Sequence, residues 1–126
     1  MHIGVYNDLE VLRFTSVGAF LGNPQGDDVL LPNRYIPHNL AVGDTIRVFL
    51  YNDSEDRLIA TTEEPLILLN QFAYLVVNDT NNYGAFLDMG LLKDLFVPFK
   101  EQTVKMKKGG MYLVYMYLDD QTQRLV

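Results

Sequence analysis

Gly18-Ala19-Phe20-Leu21 returns as Gly84-Ala85-Phe86-Leu87, 66 residues later, and the same shift superimposes most of the two halves without a gap. In the same register Leu9 matches Leu75, Val11 Val77, Asp28 Asp94, Pro32 Pro98, Gly43 Gly109, Val48 Val114, Tyr51 Tyr117 and Asp53 Asp119. A period longer than the roughly 20–50 residues of solenoid units marks a repeated domain. The repeat predicts two small domains in tandem, residues 1–63 and 64–126. A module of this size buries only about 60% of its unfolded surface, so each gains from packing against something else.

Both copies read as short strands punctuated by turns. Residues 9–15 and 17–21 are apolar and β-branched, residues 22–26 have turn chemistry, and residues 29–31 form a short apolar strand stopped by Pro32. The connection over 33–40 contains Pro37 and has room for one helical turn. Residues 45–51 alternate, with Ile46, Val48 and Leu50 on one face and Thr45, Arg47, Phe49 and Tyr51 on the other. A polar tip at 52–56 leads to a fifth strand at 57–61. The second copy repeats the order with strands at 72–77, 83–87, 95–97 and 111–118, a turn at 119–122 and a last strand beginning at Arg124. Five strands with the long connection between the third and fourth is the order of an OB-type Greek-key barrel. The expected fold is all-β: two tandem five-stranded OB-fold barrels, the second cut inside its last strand.

The strand at 111–118 has no polar face, and a strand in a small barrel needs only one buried face. Its second face is expected to meet the other module, a further module or another chain, with packing inside this chain preferred. Residues 64–69 are apolar rather than Gly/Ser-rich, which suits a segment packed between the barrels in a fixed arrangement.

The chain has no cysteine, which excludes disulfides, thiolate metal sites and cysteine nucleophiles. It lacks an apolar run of about 20 residues and a basic-then-apolar start, so no membrane contact is expected and the default location is cytoplasmic. Net charge is −6, which argues against a generic polyanion binder. The charge is uneven. Residues 1–63 carry four basic groups against nine acidic, whereas residues 64–126 carry six against seven, with Lys100, Lys105, Lys107 and Lys108 forming the basic patch.

Gly-Ala-Phe and an apolar residue, then a short strand, then Val42-Gly43-Asp44 before an apolar strand, an acidic turn and Arg57-Leu58, resembles the S1 RNA-binding domain. Leu30-Leu31-Pro32-Asn33-Arg34-Tyr35, the run from Asp53 through Arg57-Leu58-Ile59-Ala60-Thr61-Thr62, and Leu95-Phe96-Val97-Pro98-Phe99 resemble the bacterial conserved virulence factor B group. That resemblance implies tandem S1-like modules followed by a further S1-like module and a winged-helix domain. It implies single-stranded RNA as partner, in a cytoplasmic regulator of bacterial gene expression with no catalysis and no cofactor of its own.

S1 and other OB modules hold single-stranded RNA by stacking bases on aromatic faces and meeting phosphates with basic groups. The resemblance carries these roles to Tyr83, Phe86, Phe96, Asp119 and Arg124 in the second copy, with Lys100 and Lys105 nearby. Tyr83 and Phe86 are an odd number apart, so they share a face only if Gly84 provides a bend. In the first copy Phe20, Asp53 and Arg57 match, but Val17 replaces Tyr83 and Leu30 replaces Phe96. That copy is expected to bind weakly or to serve as scaffold. Phe20 and Phe86 have an alternative as core aromatics, which barrels of this size place in the same strand.

Ser16, Ser54, His2 and His38 fall in no pattern that pairs a nucleophile with a base. The acidic tip at 53–56 lacks the glycine and closing glutamate of a calcium loop, so no metal is expected. The competing function is a protein-interaction scaffold that uses Phe49, Tyr51, Tyr115 and Tyr117 as outward contacts.

Overall fold

The computed structural model describes residues 1–23, 26–119 and 125–126. The chain divides into two compact units, Met1–Glu63 and Glu64–Val126. In the first unit β1 (Tyr6–Phe14), β2 (Gly18–Gly22), β3 (Asp28–Pro32), β4 (Thr45–Asn52) and β5 (Leu58–Thr61) close into a barrel in the order β1-β2-β3-β5-β4. A single 3-10 turn at Asn33–Tyr35 occupies the long connection. Closure runs through one parallel contact, Leu30 beside Ile59, and all other pairs are antiparallel.

Alternation builds the core. Leu9 and Val11, Ala19 and Leu21, Val29 and Leu31, Val48 and Leu50, with Ala60, point inward and are buried. Phe20 and Leu30, one residue out of phase, point outward and pair across the β2–β3 ladder. β1 departs from strict alternation: Val11 pairs with Leu21 and Arg13 with Phe20, which leaves Leu12 as the extra residue of a bulge. Leu9 and Val11 face the core, so without the bulge Arg13 would follow them inward. The extra residue turns it out beside Phe20.

The second unit contains β6 (Phe72–Thr80), β7 (Gly84–Leu87), β8 (Leu95–Pro98) and β9 (Met111–Tyr115), a curled sheet in the order β8-β7-β6-β9, with a 3-10 turn at Phe99–Glu101. The expected second five-stranded barrel is met only in part. Among the described residues the fifth strand is represented by a single bridge, Leu118 to Leu125, beside Tyr117 and Val126, which exchange both backbone hydrogen bonds at 2.9 Å. In the first unit the corresponding pairs are Asn52 with Leu58 and Tyr51 with Ile59. Tyr117 therefore pairs one residue later than the 66-residue shift requires, so the second hairpin is one residue longer.

β9 is also shorter than the apolar run at 111–118. Its partner β6 begins at Phe72, and beyond Tyr115 the chain bonds a turn instead: Met116 N–H donates to Gln71 O, and its carbonyl accepts from Asn70 N–H. The segment preceding β6 is held by its own unit, with Leu66 N–H donating to Met89 O at 2.8 Å and Ile67 buried.

The outer faces differ from expectation. Phe49 and Tyr51 are 0% and 4% exposed, with Phe49 edge-on to Tyr6 and stacked near Tyr51, so neither is an outward contact residue. On β9, Val114 is buried and Met111, Leu113 and Tyr115 are exposed. Their partners on β6, Val76, Tyr74 and Phe72, are exposed too, and the six side chains form an apolar stripe along the ribbon.

Candidate nucleic-acid interface

Phe86 and Phe96 are direct cross-strand partners on β7 and β8, with ring centroids 5.1 Å apart and planes inclined by 39°. Ala85, Leu87, Leu95 and Val97 take the inward positions and are buried, so the two phenylalanines are the outward residues of this ladder. Both are half-buried, packed against each other in a tilted pair and partly open to water. They are not core side chains.

The bend expected at Gly84 was to bring Tyr83 onto the face of Phe86; what the structure shows there is close approach of β8. A Cβ there would stand 3.0 Å from Phe96 Cε1 and 2.8 Å from Pro98 Cα, and would strike the Val97 carbonyl oxygen. The missing side chain leaves room for the Phe96 ring and for close approach of β8. Tyr83 lies just before β7 and is 75% exposed. Its N–H donates to Asn81 Oδ1 at 2.8 Å and its carbonyl accepts from Phe99 N–H at 3.2 Å, which places it at the Pro98 end of the ladder.

That end is also the basic one. Lys100 sits on the 3-10 turn after β8, and Lys105 lines a shallow pocket with Phe99 and Gln102; both lysines are exposed. Gln102 holds their loop in place, donating from Nε2 to Val97 O at 3.0 Å and accepting from Met106 N–H at 2.8 Å.

The opposite side is acidic. A second bulge, at Asn78, turns Asp79 outward beside Phe86, as the bulge at Leu12 turns Arg13. Asn78 donates to Asp94 Oδ1 at 3.1 Å. Burial pushes the Asp94 carboxyl above its ordinary range against that hydrogen bond, and the charges of Asp88 and Asp79 add to the rise. Asp119 follows Leu118 and is half-buried, and Arg124 lies outside the described residues, as do parts of the turns expected at 22–26 and 119–122.

In the first unit Phe20 occupies the position of Phe86, but its ring is not bare. The Arg13 guanidinium carbon lies 4.5 Å from the ring centroid, and its Nη2 donates to Asp28 Oδ2 at 2.8 Å. Sequence reasoning missed Arg13. The signal was a charged residue at the third inward position of the series Leu9, Val11, Arg13.

Asp53 and Arg57 bind each other at the β4–β5 tip. Asp53 Oδ1 accepts from the N–H groups of Glu55 and Arg57 at 2.9 and 3.0 Å, and Oδ2 accepts from Arg57 Nε at 3.1 Å. Partial burial alone would raise the Asp53 carboxyl; the two backbone donors and the guanidinium outweigh it and hold the group below the ordinary carboxylate range. Among the described residues no group of three or more His, Cys, Asp or Glu side chains is arranged to hold a metal ion.

The second strand of each unit thus carries an outward aromatic, Phe20 on β2 and Phe86 on β7. The model of the S1 domain matches residues 3–63 and again residues 71–126. The chain belongs to the S1 domain family. Among its relatives, an uncharacterised protein, YitL, of Bacillus subtilis is 33% identical over 98 residues, 77% of this chain and 33% of that protein. Conserved virulence factor B of Staphylococcus aureus is 28% identical over 123 residues, 93% of this chain and 41% of the relative. The Staphylococcus epidermidis protein of that name is 27% identical over 129 residues, covering 98% and 43%. A crystal structure of a multidomain protein with nucleic acid binding domains from Streptococcus pneumoniae has the same fold, with a TM-score of 0.80 at 24% identity over 98% of this chain and 44% of that one. This S1-family chain therefore spans less than half the length of these relatives.

Proposed function

We propose that this S1-family chain binds single-stranded RNA, chiefly on the β7–β8 face of the second unit, as part of a cytoplasmic bacterial regulator of gene expression. The observation that carries the reading is the outward Phe86–Phe96 pair, two adjoining aromatic rings with Tyr83, Lys100 and Lys105 at one end. Bases stack on such rings regardless of sequence, and lysines at one end meet the phosphates. Asp79 and Asp94 on the other side repel the backbone, so the strand runs along the Pro98 end. In this reading Asp53 and Arg57 shape the hairpin tip that borders the first unit's face. The name of the Streptococcus structure and the S1 family both support nucleic acid as the partner class.

The test is a titration of the full chain with a labelled single-stranded oligoribonucleotide. Stacking is worth about 1–3 kcal/mol per base, so Phe86→Ala and Phe96→Ala should each weaken binding by roughly 5- to 150-fold. Unchanged affinity in both variants, with the fold intact by circular dichroism, overturns the site.

A second reading is favoured by the apolar stripe on the β6–β9 ribbon, where Phe72 and Tyr74 are 69% and 68% exposed. Patches of this kind mark protein contacts. A protein complex lost in Tyr74→Glu, in a chain that crosslinks to no RNA, would establish a scaffold instead.

A further inference from the structure

The outward face of the first unit differs in composition from that of the second. Arg13 lies over Phe20 with its guanidinium 4.5 Å from the ring centroid, and Asp28 fixes its edge through a 2.8 Å charged hydrogen bond. The stack is built by the fold. Arg13 and Phe20 are cross-strand partners only because the bulge at Leu12 shifts the register, and Asp28 stands one β3 step away, opposite Gly22. The guanidinium lies over the ring and its Nη2 meets a carboxylate, yet the Arg13 side chain is 53% exposed, which leaves much of it open to water.

The position is also where the two units part. At the 66-residue shift Arg13 is replaced by Asp79, while Phe96 stands in place of Leu30. The second unit pairs ring with ring, and the first pairs ring with guanidinium. An exposed ion pair adds little to stability, so stability does not account for the arrangement. A flat cation lying over an aromatic ring is, by contrast, a group on which a nucleobase can stack, and it places a positive charge in a unit whose net charge is −5, four basic groups against nine acidic.

We infer that Arg13, held by Phe20 and Asp28, is the base-stacking platform of the first unit and gives that unit its own contact with single-stranded RNA. This rests on the RNA reading above but assigns a separate site to a residue outside the family pattern.

Site-resolved NMR titration of the full chain with a short single-stranded oligouridylate separates the two units. Signals of Arg13, Phe20 and Leu30 should shift on titration. Arg13→Ala and Arg13→Lys should both weaken the first unit's apparent affinity about fivefold or more, because lysine keeps the charge and loses the plane, while shifts around Phe86 and Phe96 stay unchanged. Wild-type affinity in Arg13→Lys overturns the inference by showing that charge alone acts. Tighter binding in Arg13→Ala overturns it by showing that the arginine covers Phe20. Shifts confined to the second unit at saturation overturn it while leaving the RNA reading intact. Absence of shifts in both units overturns the RNA reading and this site together.

Discussion

Phe86 and Phe96 sit directly opposite each other across the β7–β8 ladder, ring centroids 5.1 Å apart, whereas the equivalent pair in the first unit is Phe20 and Leu30. This aromatic-to-leucine difference removes the second ring from the first unit's face. Phe96→Leu should leave Phe86 with leucine as its cross-strand partner, as Phe20 has Leu30. Leucine keeps most of the packing, so stability should fall by less than about 1.5 kcal/mol in urea denaturation. RNA affinity should fall severalfold in the same preparation.

Gly84 is the contact point between that platform and the backbone beneath it. Gly84→Ala puts a methyl 2.8 Å from Pro98 Cα and 3.0 Å from Phe96 Cε1, so β8 or the ring must move. A cost of about 1–3 kcal/mol is expected in chemical denaturation, the range of an overpacked site. The displaced ring should weaken RNA binding as well.

Lys100 and Lys105 are exposed and lie on the loop fastened by Gln102. Each phosphate contact removed should lower the slope of log affinity against log salt by about 0.7 for a single strand. Lys100→Gln and Lys105→Gln should show that reduction equally on pyrimidine and purine oligomers. A change that depends on base identity would place the lysines on bases instead.

Asp53 gives the first unit an acid-sensitive hairpin. Its folded carboxyl titrates below the ordinary value, so the stability it contributes is complete above the unfolded value of about 3.9 and disappears as pH falls through the folded value. Asp53→Ala should cost about 1 kcal/mol at neutral pH, less than a fully buried charged hydrogen bond because the tip meets solvent. Wild type and variant should converge at the acid end of a pH series of urea melts.

Tyr51 acts at the other end of the scale. Burial pushes its hydroxyl up to about 12, and the charges of Tyr35, Glu63 and Asp53 contribute in the same direction. The unfolded phenol ionises near 10, so the stability held by the neutral form is complete below that pH and is lost as pH rises toward the folded value. Tyr51→Phe has no proton to lose there. It should resist alkaline unfolding between about 10 and 12 better than wild type, with phenolate absorbance and circular dichroism followed together.

Much of the ladder was legible because a strand exposes its period directly. Alternation alone puts Phe20 opposite Ala19 and Leu21, and Phe86 opposite Ala85 and Leu87, while the burial of the alanines and leucines decides that the phenylalanines are the outward set. The turn at 33–35 was equally readable from the prolines that bracket it. Arg13 was not readable. Its direction depends on an extra residue in β1 that exists only relative to β2, and a bulge leaves no mark in a single strand's alternation beyond a charge in the wrong phase. Phe49 and Tyr51 failed for a related reason: alternation assigns a side chain to a face but not that face to water.

By itself the sequence determined the repeat, the order of the strands and which residues of a strand share a face, since these follow from local periodicity and turn chemistry; it left Phe20 and Phe86 as either outward or core aromatics. The tertiary structure decided what lies beside those rings. Pairing between strands brought Phe96 onto Phe86 over Gly84, set Arg13 on Phe20 through a bulge, tied Asp53 to Arg57, and moved the register of the second hairpin by one residue. Each is a contact between residues whose separation along the chain carries no physical force. Only the hydrogen-bonded register of the sheet turns that separation into a distance.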